Sequence, residues 1–375
     1  MKKIRDGLYD EYIFIEDDEL PVLDSQYVQR LRKITQLGLS SLVYPTATHS
    51  RFSHSIGVLS LSSKMAESLD LDPVERKSVR LAGLLHDVGH GPFSHASEYA
   101  LEKDHEEKSC EVVEKLEDAG KLPVSANKVN QYIRGERYPS IIAGDIDTDR
   151  MDYLKRDSHF TGIPHGKIDT DTIIKSATTD SEKLLFKRRA VEAIEQLLVS
   201  RKNMMGSVYC HPTVQIAENM LQIAVEDLPI SDDELWQLDD YQLHTKLLDS
   251  TGVSQELYER INQRRLYKTA YELRYRHLQN GQNAPSIDQK KLKMKLLQEL
   301  PVSEHELIVY VNSPSYTMLD IEIQTKDGIY AFDEVSNTSE LLNGPSGNDL
   351  VLSVYTKKQY LDDVQKIVQD IINIK

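Results

Sequence analysis

The sequence predicts a mostly α-helical domain over residues 1–300 followed by a small α+β subdomain over 301–375. Apolar residues recur at helical spacing through most of the chain up to residue 275. After "PVSEHE" the pattern changes to short runs rich in β-branched and aromatic residues. A last amphipathic stretch then closes the chain.

The stretch "SQYVQRLRKITQLG" places Tyr27, Leu31, Ile34 and Leu37 at helical spacing and predicts a helix that stops at Gly38. "SHSIGVLSLSSKMAESL" follows, with Ile56, Leu59, Met65 and Leu69 on one side. "DPVERKSVRLAGLLHD" opens with Asp72 as N-cap and Pro73 at the first helical position. "DIDTDRMDYLKRDS" and "KRRAVEAIEQLLVSRKNMMGSVY" read as two more helices, and "NGQNAPSIDQ" at 280–289 as a polar loop. "LIVYVN", "LDIEIQT", "GIYAFDEV" and "LVLSVYT" read as strands, and "YLDDVQKIVQDIINI" as the final helix.

The chain has 375 residues, 28% of them charged, and a net charge of −15. That field opposes non-specific binding to nucleic acid or anionic lipid, although a local basic pocket can still hold phosphate. The two cysteines, Cys110 and Cys210, read as reduced thiols. The N-terminus lacks the apolar stretch of a signal peptide, and no 18-residue apolar run occurs. A cytoplasmic protein without membrane attachment is expected.

The chemistry concentrates in "LAGLLHDVGHGPFSHASE", residues 81–98. Gly89, Gly91 and Pro92 end the helix that contains Leu81–Leu85, so His86, Asp87, His90 and His95 gather where a helix gives way to a tight loop. His54 in "RFSHSIG" and one acid of "DIDTDRMD" can join His86 and Asp87. Two imidazoles with two carboxylates suit one divalent transition metal, Fe, Mn, Co, Ni or Zn, whereas Ca or Mg would take oxygens only. Blander readings exist. An HD dipeptide is common, a single histidine is often a satisfied core residue, and the acids could form a solvated helix face. An EF-hand loop is excluded, because Arg150 and Arg156 stand where Gly and Glu are needed. Asp149, Tyr153 and Asp157 share one stripe with Arg150 beside them, which favours a site wall.

Three long motifs carry a resemblance. "QRLRKITQLGLSSLVYPTATHSRFSHSIGV", "LAGLLHDVGHGPFSHASE" and "DIDTDRMDYLKRDSHFTGI", in that order, resemble the HD-domain deoxynucleoside triphosphate triphosphohydrolases, and the likeness continues more weakly through "SRKNMMGSVYCHP" and the C-terminus. The resemblance implies the HD-domain helical fold and hydrolysis of dNTPs to deoxynucleoside and inorganic triphosphate. It implies His54, His86, Asp87 and Asp149 as the ligands of one metal, with Mg accompanying the nucleotide phosphates. Arg51 would contact the α-phosphate. Gln36, Leu37, Asp157 and Tyr209 would hold the deoxyribose, and Arg150, Tyr153 and Arg201 the triphosphate. His90, His95 and His105 would surround the scissile bond, with Glu98 and Glu106 as their carboxylates. A histidine is the natural proton donor to a departing 5′-oxygen near neutral pH; His105 is favoured for that role and His95 is its rival.

The resemblance also implies a homo-oligomer, a dimer or tetramer, and an activating nucleotide at Lys3, Asp24, Gln29 and Arg32. Gln29 and Arg32 have a simpler explanation in the polar face of an amphipathic helix. Two features depart from the pattern. Met205 stands where vertebrate members have a phosphate-side histidine, which thins the triphosphate grip and leaves Lys202 as a further cation, and the SAM domain of those members has no counterpart here. Two other readings therefore stay open: an HD phosphohydrolase for a nucleoside monophosphate or a ribonucleotide, and a nucleotide sensor without turnover.

Overall fold

The computed structural model describes residues 1–101, 103–137, 141–180, 183–274, 287–311, 320–339 and 350–372. Five helices position the candidate site: α1 (Arg51–Ser68), α2 (Pro73–Leu85), α3 (His105–Asp118), α4 (Thr148–Thr161) and α5 (Val191–Met204). Each of the first four begins on a residue that satisfies the free N–H groups of its first turn. Ser50, Asp72, Asp104 and Asp147 accept from Ser53, from Val74 and Glu75, from Glu107 and from Arg150 respectively. α1 is the central element, packing on both α2 and α4, and α4 packs in turn on α5. Ile56, Leu59 and Met65 are buried as their spacing predicts.

The chain divides into two compact units, and the division is not the expected one at residue 300. The first unit is Met1–Met204 with Ile230–His244 and Met318–Leu342; the second is Met205–Pro229, Thr245–Thr317 and Asn343–Lys375. Strand pairing accounts for both departures. Glu322–Gln324 pairs in parallel with Lys183–Lys187 and antiparallel with Ile329–Ala331, so this hairpin belongs to a four-stranded sheet of the first unit. In the second unit Leu350–Thr356 is the middle strand between Lys268–Arg274 and Leu307–Val311, both antiparallel to it. The helices Gln289–Glu299 and Leu361–Ile372 cover that sheet through Leu292, Leu296, Val364 and Val368. The helices Pro212–Glu226 and Val253–Asn262 also pack together in the second unit.

Two element predictions need correction. The helix expected to run to Gly38 stops early: Gln26–Arg30 is α-helical, Leu31–Lys33 forms a 3-10 turn, and Ile34 is extended. Tertiary bonds outweigh the local propensity there. Thr35 donates its N–H and hydroxyl to Asp240, the Gln36 N–H donates to the His49 carbonyl, and the Ile34 carbonyl accepts from Arg51. The predicted strand "GIYAFDEV" is a strand only over Ile329–Ala331 and then turns helical over Phe332–Val335, because Phe332 is buried out of the strand's alternation. Of the predicted polar loop at 280–289, residues 280–286 lie outside the described residues.

The loop after α2 takes its shape from contacts. Gly89 and Gly91 do not have positive φ; Phe93 and Ser94 do, each at 56°. Gly89 is required for close approach, since a Cβ there would lie 2.0 Å from the His105 carbonyl oxygen and 2.5 Å from the Ser109 nitrogen. Both are backbone atoms of α3 and cannot yield without moving the helix. Gly89→Ala is expected to cost about 1–3 kcal/mol, read as a lower urea midpoint with an unchanged slope. Gly91→Ala, which meets only the Ser97 hydroxyl at 3.1 Å and Leu101 at 3.4 Å, should cost distinctly less in the same measurement.

Candidate metal centre and cavity

α1 carries Arg51 and His54 one turn apart, α2 ends at His86 and Asp87, and the first turn of α4 contributes Asp149. The four predicted ligands converge. His54 Nε2 lies 2.9 Å from Asp149 Oδ1 and 3.6 Å from Asp87 Oδ2. His86 Nε2 lies 3.3 Å from Asp87 Oδ1 and 3.5 Å from Asp149 Oδ1.

The protonation pattern of the two imidazoles suits a metal ion. His86 Nδ1 faces the Gly83 carbonyl at 3.0 Å and His54 Nδ1 faces Asp152 Oδ2 at 2.8 Å. Those oxygens only accept, so each Nδ1 donates and each Nε2 of the neutral ring keeps its lone pair. His86 Nε2 is buried without a hydrogen-bond partner among the described residues. The electrostatics agree. Burial opposes charge on His54, yet hydrogen bonds with Asp149 and Asp152 and the field of Asp87 push its pKa up to about 10. The carboxylates therefore favour positive charge at their centre, and these residues fit a divalent metal ion.

Behind His54 stands a chain of partners that the sequence did not disclose. Arg156 donates to both oxygens of Asp152, at 2.7 and 2.9 Å, and to Asp6 at 2.7 Å, while Tyr9 donates to Asp152 Oδ1 at 2.7 Å. Gly57 makes room, since a Cβ there would lie 1.9 Å from Asp152 Oδ1. The readable signal was the helical spacing of Asp149, Asp152 and Arg156; Asp6 and Tyr9 are distant in sequence and carried none.

Arg51 is engaged inside the site. Its Nη1 pairs with Asp87 Oδ2 at 2.6 Å, and its Nε donates at 2.6 Å to Ser94 Oγ, which donates to the Thr35 carbonyl. Although burial raises Asp87, Arg51, His86 and His90 hold it well below the usual carboxylate range. Beyond the ligands lies a second group. Glu98 pairs with His95 Nδ1 at 2.6 Å and with His105 Nδ1 at 2.5 Å, and His90 stacks on His105 with ring centroids 3.9 Å apart. Burial disfavours charge on His105, but its bond to Glu98 prevails and raises its pKa. Glu98 itself, although burial raises it, is held far below its ordinary range by the two histidines. The carboxylate bonded to these histidines is thus Glu98; Glu106 instead lines a cavity.

That cavity, about 520 Å³, is lined by His86, Asp87, Asp149 and His105 together with Arg150, Tyr153 and Arg201. Arg150 also pairs with Asp145 at 3.4 Å. Asp147, buried at the N-cap of α4, has its pKa pushed up to about 7 by burial, with Arg150 opposing and Asp149 reinforcing the shift. Gln36 Oε1 is buried and lacks a hydrogen-bond partner among the described residues. Leu37 follows it, half-buried. Asp157 is taken up by His49, Nε2 to Oδ1 at 2.8 Å, and His49 stacks on Phe160. His49, two residues before Arg51, was overlooked because it matches no ligand spacing. Tyr209 and Met205 lie in the second unit, on the π-helical turn Met205–Tyr209.

The four residues expected at an activator lie in the first unit with local partners. Lys3 Nζ sits over the Phe14 ring at 5.6 Å and Asp24 lies 3.4 Å from Lys2 Nζ. Gln29 donates to the Leu23 carbonyl and accepts from Arg32, both at 2.8 Å, and the Arg32 guanidinium covers Phe52 at 3.6 Å.

Residues 51–157 match the HD domain, which spans α1 to α4 and every residue of the His54, His86, Asp87 and Asp149 cluster. Residues 168–375 match the HD associated region, so the chain belongs to the HD-domain family in which that region follows the domain. An uncharacterized protein of Methanocaldococcus jannaschii is 34% identical over 390 residues, covering 100% of this chain and 83% of its own length. The Dictyostelium discoideum SAMHD1 homolog, a deoxynucleoside triphosphate triphosphohydrolase, is 29% identical over 315 residues; the match covers 72% of this chain and 60% of that protein. The crystal structure of the phosphohydrolase BT4208 from Bacteroides thetaiotaomicron superposes with a TM-score of 0.77 at 26% identity, over 96% of this chain and 100% of that one. No described helix is long and apolar enough to cross a membrane.

Removing the partner behind a metal-bound histidine typically costs about 10–100-fold in metal affinity. Asp152→Asn is expected to weaken Mn²⁺ binding by about that factor, and Tyr9→Phe by a smaller one. Isothermal titration with Mn²⁺ checks both. Equal affinity in wild type and Asp152→Asn would remove Asp152 from this role.

Proposed function

We propose that the protein is a metal-dependent dNTP triphosphohydrolase that releases deoxynucleoside and inorganic triphosphate. The observation that carries this reading is the cavity itself, about 520 Å³, whose lining joins three of the converging side chains, His86, Asp87 and Asp149, with Arg150, Tyr153 and Arg201. That size suits a nucleotide. His54, His86, Asp87 and Asp149 would hold the metal, which supplies Lewis-acid polarisation and a more acidic bound water. Arg150 and Arg201 bring positive charge to the β- and γ-phosphates, and the Tyr153 hydroxyl offers a hydrogen bond. Arg51, held between Asp87 and Ser94, is placed for the phosphate next to the sugar. The buried, unpartnered Gln36 Oε1 supports a sugar hydroxyl as its missing donor. The backbone N–H of Gln36 also reaches His49, whose ring holds Asp157, so the two proposed sugar contacts share a support.

The chemistry asks for a water oxygen to bond to the α-phosphorus while the bond to the 5′-oxygen breaks and that oxygen takes a proton. His105 would donate it. Glu98 keeps the imidazole charged and oriented, with His90 stacked behind it. His95 has its side chain 64% exposed and shares the same carboxylate, which suits it to an outer phosphate contact. Leu37 would set an apolar surface against C2′ and disfavour ribonucleotides. Turnover distinguishes this proposal from a nucleotide sensor.

Product analysis tests the proposal. Each dNTP with Mn²⁺ is expected to yield deoxynucleoside and triphosphate; orthophosphate or pyrophosphate as first product would move the protein to another HD phosphohydrolase reaction. GTP is expected to turn over more slowly than dGTP. His105→Gln should lower kcat by about 10²–10⁴-fold with little change in KM, whereas His95→Ala should act mainly on KM. The reverse pattern would make His95 the proton donor.

A further inference from the structure

His90, His95, Glu98 and His105 form a cluster separate from the four residues assigned to the first metal. One ligand-capable atom from each of them lies within 4.8 Å of all the others. His90 is 1% exposed, and its Nδ1 is buried with no hydrogen-bond partner among the described residues. His95 is presented from the outside, on the single helical turn His95–Glu98, while His105 opens α3. The ring centroids of the three histidines lie 3.9–5.4 Å apart. The buried His90 Nδ1 therefore has a lone pair available to an ion on the inner side of the cluster. Three imidazoles and one carboxylate make a zinc-type donor set.

We propose that His90, His95, Glu98 and His105 form a second transition-metal site, selective for zinc-like ions, whose occupation switches the reaction off. Ligand atoms around a tetrahedral Zn²⁺ stand about 3.3 Å apart, given Zn–N distances of about 2.0–2.1 Å. The two Glu98–histidine pairs, at 2.6 and 2.5 Å, are closer because each shares a proton. An ion entering here replaces those bridging protons, which leave to solvent; the two Glu98 pairs open toward the tetrahedral spacing, and the His90 ring, stacked on His105 at an interplanar angle of 12°, turns out of the stack so that both lone pairs meet the ion. Two restraints keep the site assembled. Glu98 Oε1 also accepts from the His105 N–H at 3.0 Å, and Gly89 holds the loop hard against α3. An ion bound here takes the place of the Nδ1 proton of His105 and uses the charge of Glu98, so the ring is no longer an imidazolium and the N–H left on Nε2 is too weak an acid to protonate the leaving oxygen. The inhibitory half of this inference rests on the proposed reaction; the site itself does not.

Titration of the metal-stripped full-length protein with Co²⁺ tests it, with equilibrium dialysis for stoichiometry and the visible d–d bands for geometry. Two ions per chain are expected in wild type, the second giving the intense bands of tetrahedral coordination. Glu98→Gln and the double variant His95→Ala/Glu98→Gln should each weaken the second ion at least tenfold and leave the first in place. His54→Ala should do the opposite. One ion per chain in wild type, or a second ion indifferent to both Glu98 variants, would overturn the site. In a parallel assay, Zn²⁺ added to Mn²⁺-loaded wild type should abolish dNTP turnover reversibly, with recovery on chelation. Two ions without any turnover before Zn²⁺ addition would support the site and count against the proposed reaction instead.

Discussion

The folded chain gathers Asp87, Asp149 and Asp152 around one imidazole, His54, in a place almost closed to water. Carboxylates so close repel strongly at low dielectric, and burial alone would neutralise them. They stay ionised only because cations are interleaved. Arg51 answers Asp87, Arg156 answers Asp152, and the point between His54 and His86 suits a divalent cation. The rest of the first unit serves this arrangement. α1 supplies both Arg51 and His54, Gly57 lets Asp152 close in, and Asp6 anchors the far end of Arg156. A buried cation whose partner is removed leaves an uncompensated charge, so the network cannot be dismantled piecemeal.

The same constraint explains why the loop after α2 is held so firmly. Arg30 donates to the carbonyls of Val88 and His90 and also to those of Trp236 and Leu238. Trp236 donates its indole N–H to Gly89, and Asp240 accepts from the Phe93 N–H and from Thr35. Segment Ile230–His244 thus acts as a brace on the HD loop from outside the matched HD domain, and the brace carries the strained φ values of Phe93 and Ser94. Ser94 needs that conformation to place its hydroxyl between Arg51 and the Thr35 carbonyl.

Much of this was legible in the sequence where chemistry and local spacing coincide. His54, His86 and Asp87 sit at helix ends or one turn inside a capped helix, so their meeting with an acid of "DIDTDRMD" followed from motifs with clear boundaries, and the resemblance singled out Asp149 among those acids. The capped start of α2, at Asp72 and Pro73, was readable for the same reason. What could not be read depends on pairs far apart in the chain. Asp6 reaches Arg156 and Tyr9 reaches Asp152, each across more than 140 residues. Thr35 leaves the helix because Asp240 pulls it, which no propensity around Thr35 reveals. The strand Lys268–Arg274 has register shifts and an exposed start, so its alternation was blurred, and the boundary expected at residue 300 missed it. Glu98 and Glu106 were indistinguishable as partners of His105 until the turn of helix at His95–Glu98 brought Glu98 beneath both imidazoles.

The two histidine groups divide one kind of side chain between opposite tasks, and the division follows from what each Nδ1 meets. At His54 and His86 the Nδ1 proton is fixed on an oxygen behind the ring, so Nε2 is the nitrogen that would turn its lone pair to a bound cation in place of a proton. At His95 and His105 the Nδ1 faces Glu98, which lies inside the cluster; that carboxylate raises the pKa of His105, whose charged ring presents a proton on Nε2. His90 stands between the groups. Its Nε2 lies 3.4 Å from Asp87, its ring lies against His105, and its Nδ1 is unanswered. Asp87 faces a metal position on one side and a proton-bearing cluster on the other. A carboxylate in that position transmits charge both ways: an ion bound beside Asp87 lowers its pull on the proton of His105, and a proton lost from the cluster strengthens its hold on the ion. In the proposed reaction, metal binding and proton donation would be coupled through a single side chain, the aspartate of the HD pair.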